Sequence, residues 1–321
     1  MEKISFVIPC YGSEKTIRMV VEEIVQVMAS QQETYTYEII LVNDSSPDNV
    51  WVEIQKLANE FQNITGICLA KNFGQHAALM AGYRSCKGEI VVSLDDDGQT
   101  PVDEVFSLID KIHQGYDVVY GSYPVIKQNP FRRFGSWVNA KMTEMMLGKP
   151  KELKGTSYYA ARRFVIREMI QYHNPYPYVG GLVLQSTHNV TDVPVTHRAR
   201  QSGHSGYSIK KLLKLWMNGF TAFSEKPLRV ATIIGLICSM IGFISGVALI
   251  IRKIVNPSVL MGYSSTMATI LFIGGIIMLL LGMIGEYVGR IYISMNNAPQ
   301  YVIREMVGNQ ADEAEGKSKD K

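Results

Sequence analysis

The chain has 321 residues, enough for one large globular domain with additional elements. Its 32 Lys and Arg against 29 Asp and Glu leave a net charge of +3, so composition gives no indication of a nucleic-acid-binding surface. The cysteines, Cys10, Cys68, Cys86 and Cys238, are far apart and form no C-x-x-C pair, which argues against a zinc site or a disulfide framework and for a reducing compartment.

The opening "MEKISFVIPCYG" has an apolar stretch too short for a signal-peptide h-region and reads as a strand over residues 4–10 that enters a turn. Helical periodicity follows over 16–30, a strand over 37–44, a helix over 49–61 and a strand over 64–70. The series continues with a helix around "QHAALMAGYRSC" and strands over 89–95 and 117–122. Repeated strand and helix units predict an α/β fold, a mainly parallel sheet with helices on both faces and a ligand crevice beyond the carboxyl ends of the strands. Polar residues gather at those ends: Pro9 and Tyr11, then Asp44, then Lys71, then Asp95 to Asp97. They are expected to converge in space.

The stretch "SLDDDGQTP", residues 93–101, places adjacent carboxylates at a strand end before Gly98 and Pro101 break the chain. Aspartates on such a turn offer hard oxygen ligands to Mg²⁺ or Mn²⁺, and Mg²⁺ characteristically shares one or two protein carboxylates with substrate phosphates. The alternatives are Asp95 as a turn cap and Asp96 as a solvated anion.

Composition shifts near residue 228. "VATIIGLICSMIGFISGVALII" (230–251) and "MATILFIGGIIMLLLGMIGEYVG" (267–289) are apolar over lengths that span a bilayer and have no polar face. Lys210, Lys211, Lys214, Lys226 and Arg229 precede the first run and Arg290 and Arg304 follow the second, against Arg252 and Lys253 between them, so both termini are expected on the cytoplasmic side of a multi-pass protein. Between the soluble domain, residues 1–207, and the first run lies "SIKKLLKLWMNGFTAFSEKPLR" (208–229). On a helix, Leu212, Trp216, Phe220 and Phe223 share one face and Lys210, Lys211, Lys214 and Asn218 the other, the pattern of an interfacial helix touching membrane lipids. An amphipathic helix packed on the soluble domain would look the same. The remainder, 290–321, reads as a cytoplasmic segment whose charged end, "GNQADEAEGKSKDK", is disordered.

Six segments in order, "FVIPCYGSE", "ILVNDSSPD", "AKNFGQHAALMAG", "SLDDDGQTP", "HRARQSGHSGYS" and "NGFTAFSEKPLR", followed by the paired apolar runs, make residues 4 to about 305 similar to the family 2 glycosyltransferases that move a sugar from a nucleotide donor onto polyprenyl phosphate. That group includes dolichol-phosphate mannose synthase, bactoprenol glucosyltransferases and undecaprenyl-phosphate aminoarabinose transferase. The resemblance implies a GT-A type domain, interfacial helices and a two-helix transmembrane hairpin. It also implies inverting, Mg²⁺- or Mn²⁺-dependent transfer at the cytoplasmic face of the plasma membrane, serving cell-envelope glycans. Carried over, Pro9, Tyr11 and Asp44 match positions that hold the nucleotide base, Lys71 a basic position in the donor pocket, and Asp95 and Asp97 the D-x-D, with Asp97 the direct metal contact. Arg200 matches a basic position near the phosphates, with Ser205 and Tyr207 on the same acceptor loop. His197 could orient phosphate or pack, with packing favoured, and His76, near a helix start after Gly74, reads as a capping or core residue rather than a catalytic one.

The chain also departs from the family pattern. Asn43 stands where relatives carry an aspartate, Gly12 replaces a frequent asparagine, and Gly206 replaces a frequent lysine. In "KPKELKGTSYYAARR" relatives carry an aspartate shortly before the glycine, a proposed base, and Glu152 is the acid available here. Such a base is dispensable, because the acceptor phosphate has its second pKa near ~6 and is largely a dianion at neutral pH. Two other readings compete. A processive polysaccharide synthase is disfavoured by the absence of Q-x-x-R-W, and a non-catalytic nucleotide-sugar-binding membrane scaffold by the presence of Asp95, Asp97 and Arg200. Homo-oligomerisation is left open by the sequence.

Overall fold

The computed structural model describes residues 1–123, 144, 149–150, 153–196, 198, 226–255, 262–295 and 298–308. The chain divides into two compact units, one built from Met1–Ile209 with Ala298–Lys321 and the other from Lys210–Asn297.

In the first unit, strand β1 (Glu2–Cys10) is followed by helix α1 (Ile17–Ala29), β2 (Tyr35–Asn43), α2 (Val50–Glu60), β3 (Ile64–Leu69), α3 (Gln75–Ser85) and β4 (Ile90–Ser93). β4, β1, β2 and β3 lie side by side and parallel. Their residues are continuous apolar runs, "FVI", "IILV" and "IVV", because helices cover both faces and leave no solvated side. α1 contributes one stripe, Ile17, Val20, Val21, Ile24 and Met28 buried at helical spacing, whereas α3 is buried continuously from Ala77 to Tyr83. α3 approaches the sheet closely at Gly82, where a methyl group would collide with Val7. One acid inside this region, Glu38, is held by Lys3 Nζ (2.8 Å), Ser5 Oγ (2.6 Å) and the Lys87 N–H (2.5 Å).

A 3-10 turn (Val102–Glu104), α4 (Val105–His113) and β5 (Val118–Ser122) follow, then β6 (Tyr159–Arg162), α5 (Arg163–Met169), α6 (Val179–Ser186) and β7 (Val190–Pro194). The eight strands are ordered β7-β5-β6-β4-β1-β2-β3-β8, where β8 is Ile303–Gly308. β6 runs antiparallel to both β4 and β5, and β8 antiparallel to β3. The sheet is therefore mainly parallel with two reversed strands. The sequence reading placed 290–321 outside the catalytic domain. Instead the chain returns after the second unit, Gln300 donates to the carbonyls of Tyr172 (3.3 Å) and Asn174 (3.1 Å), and β8 extends the sheet at its edge.

The second unit contains α7 (Lys226–Val255) and α8 (Tyr263–Met295), which bracket the two apolar runs. At ~1.5 Å per residue, helices of 30 and 33 residues are longer than a hydrocarbon core of ~30 Å. Among the described residues one stretch, Phe272–Gly289, is long and apolar enough to cross a membrane, and α7 carries a shorter apolar stretch, Gly235–Ile244. Ile241, Phe243 and Ile244 of α7 and Phe272, Met278 and Leu281 of α8 are exposed. Most of the interfacial segment, and the charged tail, lie outside the described residues.

Candidate active site

The carboxyl ends of the four parallel strands are linked by hydrogen bonds into one surface. After β4, Leu94 N–H still bonds to the Val7 carbonyl (3.3 Å), and the chain then turns through Asp95, Asp96 and Asp97. The three carboxylates have different partners. Asp95 accepts from Gln75 Nε2 at the start of α3 (3.0 Å) and from the Ser157 hydroxyl just before β6. Asp96 points toward the loop after β1: its carboxylate accepts from the Tyr11 N–H (2.9 Å) and its carbonyl from Thr16 Oγ1 (2.6 Å). Burial and the neighbouring Asp95 charge push the Asp96 carboxyl up to about 6, against the Tyr11 N–H that favours its ionised form. Asp96 is therefore not the solvated anion that the sequence allowed. Asp97 Oδ1 accepts from the Gln99 N–H (3.1 Å), across Gly98 at φ +72°, a left-handed conformation that suits glycine.

Asp44 occupies the end of β2 and is 3% exposed. Its N–H bonds to the Cys10 carbonyl (3.2 Å), and its carboxylate oxygens accept from the N–H groups of Phe73 (2.7 Å) and Gly74 (2.8 Å). An anion is thereby seated at the amino end of α3, where the helix dipole and unpaired N–H groups favour it. Burial nevertheless pushes the Asp44 carboxyl up from its ordinary value, with those two N–H groups opposing. Asn43 uses both ends of its amide, accepting from the Ser46 N–H (2.9 Å) and donating to Cys68 Sγ (3.4 Å). An aspartate could make only the first of these contacts. Lys71 is exposed beyond β3, its Nζ 5.0 Å from the centroid of the Phe73 ring. Pro9 is buried in β1 opposite Val42, and Tyr11, 55% exposed, stands at the rim. The loop carrying Tyr11 is stapled to the loop after β2 through Gly12 N–H to Ser46 Oγ (2.8 Å) and Glu14 N–H to Asp48 (2.9 Å).

The structure thus brings Pro9, Tyr11, Asp44, Lys71, Asp95 and Asp97 to one end of the sheet. Glu152, His197, Arg200, Ser205 and Tyr207 lie outside the described residues. His76 is half-buried and packs edge on against Tyr178, ring centroids 5.3 Å apart, and desolvation of the ring pushes it down to about 4, so it is neutral at pH 7. Sequence reasoning missed Gln75, Ser157, Gln99 and Arg198. Gln75 follows the helix-start glycine and could have been noticed, but Ser157 is on a segment without a motif and reaches Asp95 only through the sheet.

The sequence profile of glycosyl transferase family 2 matches residues 5–172, a little over half of the chain. The chain belongs to that family. A second profile, the GtrB C-terminal hairpin, matches residues 226–291, which hold α7 and most of α8 and point to membrane association. Undecaprenyl-phosphate 4-deoxy-4-formamido-L-arabinose transferase from Serratia proteamaculans is 32% identical over 314 residues, covering 97% of this chain and 95% of that protein. The protein of that name from Proteus mirabilis is 31% identical over 312 residues, covering 96% of this chain and 95% of its own length. Among solved structures, glucosyl-3-phosphoglycerate synthase from Mycobacterium tuberculosis, crystallised with Mn²⁺, uridine diphosphate and phosphoglyceric acid, matches with a TM-score of 0.50 and 18% identity over 67% of this chain and 75% of that one. That likeness is one of fold, and the fold of this family 2 glycosyltransferase is of the GT-A type.

Proposed function

We propose that this glycosyltransferase moves a sugar from a nucleotide-sugar onto undecaprenyl phosphate at the cytoplasmic face of the plasma membrane, inverting the anomeric carbon. The observation that carries this reading is the reach of the similarity: the undecaprenyl-phosphate transferases align with 97% of the chain, through both units. Tyr11, Pro9 and the loop held by Asp44 would shape the base pocket, while Lys71 and Arg200 would face the phosphates.

Asp95 and Asp97 would hold the Mg²⁺ or Mn²⁺. Their hard oxygens suit either ion, and among the described residues no group of three or more His, Cys, Asp or Glu side chains forms a full cage. This fits a cation that takes its remaining ligands from diphosphate and water. When bound, such an ion supplies charge neutralisation at the diphosphate. The protein's own groups position acceptor and donor in line and screen their phosphates from each other. With an acceptor that is already ionised, Glu152 acts in placement more than in proton removal.

The test uses purified full-length protein, undecaprenyl phosphate, Mg²⁺ or Mn²⁺ and a panel of UDP-, GDP- and dTDP-sugars, with lipid products read by mass spectrometry. One donor should yield a lipid carrying a single sugar. Nucleotide binding without lipid product from any donor would favour the scaffold, and long sugar chains a processive synthase.

For topology, the excess of Lys and Arg outside the two apolar runs over those between them supports a connection on the non-cytoplasmic side. A cysteine introduced by Ser258→Cys should react with a membrane-impermeant maleimide only from the non-cytoplasmic side. Labelling from the cytoplasmic side alone would overturn the hairpin orientation.

A further inference from the structure

We infer that Arg198 is a positioning residue for the D-x-D turn, acting through Gln99 on the Asp97 carboxylate. The inference rests on the reading of Asp97 as a metal-holding residue.

Arg198 and Gln99 meet in a reciprocal pair of contacts: the Arg198 N–H donates to the Gln99 carbonyl (3.4 Å) and Gln99 Nε2 donates to the Arg198 carbonyl (3.3 Å). Gln99 in turn donates its own N–H to Asp97 Oδ1 (3.1 Å). Both contacts between Arg198 and Gln99 are long and individually weak. They hold only if the strand exit at Arg198 is fixed from elsewhere, and its side chain does this. One guanidinium nitrogen donates to Glu23 on α1 (2.7 Å) and another to Asp103 in the 3-10 turn (2.5 Å). Two residues earlier the Thr196 N–H donates to Glu104 (3.0 Å), a second pin from the same turn.

The brace is needed because Gly98 separates Asp97 from Gln99. A left-handed glycine gives the backbone a sharp turn but little resistance to alternative conformations, so the direction of the Asp97 carboxylate depends on what grips residue 99. Stability alone is a weak explanation for the arrangement. The Arg198 side chain is 36% exposed, and ion pairs of that exposure contribute little to folding. Outer partners of metal-holding groups, by contrast, commonly control affinity by about 10-fold to 100-fold.

The test titrates Mn²⁺ in the presence of pyrophosphate into full-length protein and reads free Mn²⁺ by electron paramagnetic resonance, with thermal midpoints recorded in parallel. Arg198→Gln and Gln99→Ala should each weaken Mn²⁺ binding about tenfold. The double variant should be no worse than the stronger single, because both act on one path. Arg198→Lys should recover part of the affinity. Asp97→Asn should abolish binding. If Arg198→Gln fails to fold, Gln99→Ala decides on the same readout. Lost binding in Asp97→Asn with wild-type affinity in the Arg198 and Gln99 variants would overturn the inference and leave the metal reading standing. Wild-type binding in Asp97→Asn would overturn both.

Discussion

Asp97→Asn is expected to lower the initial rate by about a hundredfold or more at every pH from about 5.5 to 8.5, with either Mg²⁺ or Mn²⁺ present. The substitution keeps the shape of the side chain and its contact with the Gln99 N–H, since the amide oxygen still accepts. What it removes is the charge proposed above to hold the metal at the diphosphate. Because the loss is not one of protonation, no pH should rescue it. Glu152→Gln should behave differently. If the acceptor phosphate is its own nucleophile, this variant keeps a measurable fraction of activity at about pH 8 and becomes relatively worse only below about pH 6, where the second ionisation of the phosphate reverses. Initial rates of both variants across the range, with donor and acceptor affinities measured alongside, separate the two roles. A Glu152→Gln enzyme as inactive as Asp97→Asn at every pH, with substrates still bound, would restore an essential base to Glu152.

The elements that build the floor of this site were legible because they are driven by burial. β1 and β2 carry the apolar runs "FVI" and "IILV", β3 is short and buried throughout, and α1 is an apolar stripe at helical spacing. Strand ends followed by Tyr11, Asp44, Lys71 and Asp95 then converge as a consequence of parallel pairing. The missing strands lack such a pattern. β6 is the short segment "YAAR", β7 is "VTDVP" with no fully buried residue, and β8 is "IREMVG" at an exposed edge, separated from its partner by the whole second unit. Their places are fixed by what they pair with, information that a local window does not carry. The same holds for the site's inner contacts. Nothing in "DDD" distinguishes the carboxylate that turns inward to Tyr11 from those that accept from Gln75 and Gln99. Asp96 and Asp95 meet partners 85 and 20 residues away along the chain, and only Asp97 finds its partner locally, two residues on. Arg198 was hidden for a different reason. It stands two residues before Arg200 in "HRAR", and its partners Glu23 and Asp103 carry no motif.

Asp44→Ala should cost stability as well as donor binding, and the two effects have one origin. The carboxylate is nearly sequestered from solvent and accepts from the N–H groups of Phe73 and Gly74, which open α3. Alanine leaves both donors without their acceptor in a place water reaches poorly, at roughly 1–3 kcal/mol for each buried donor stranded. The segment 71–74 then loses its anchor to β2, and with it the placement of Lys71, the residue proposed above to face the phosphates. The thermal midpoint of the full-length protein should fall, and the nucleotide should bind more weakly even where the fold persists. The dependence on pH follows from the direction of the Asp44 shift. Burial raises the carboxyl in the folded protein above its unfolded value, so the protonated form is favoured by folding. That contribution is complete below the unfolded pKa of about 4 and is lost as pH rises through the folded value. The stability gap between wild type and Asp44→Ala should therefore narrow, not widen, as pH is raised from about 4 toward neutrality. Asp44→Asn should fall between the two, because its amide oxygen accepts one N–H while its NH₂ faces the other as donor against donor. Thermal midpoints of wild type and both variants at about pH 5 and 8, with nucleotide affinity at each, test the whole chain of reasoning. A wild-type midpoint in Asp44→Ala at both values would mean that water satisfies Phe73 and Gly74. The donor-binding loss would then have to come from direct contact of Asp44 with the nucleotide.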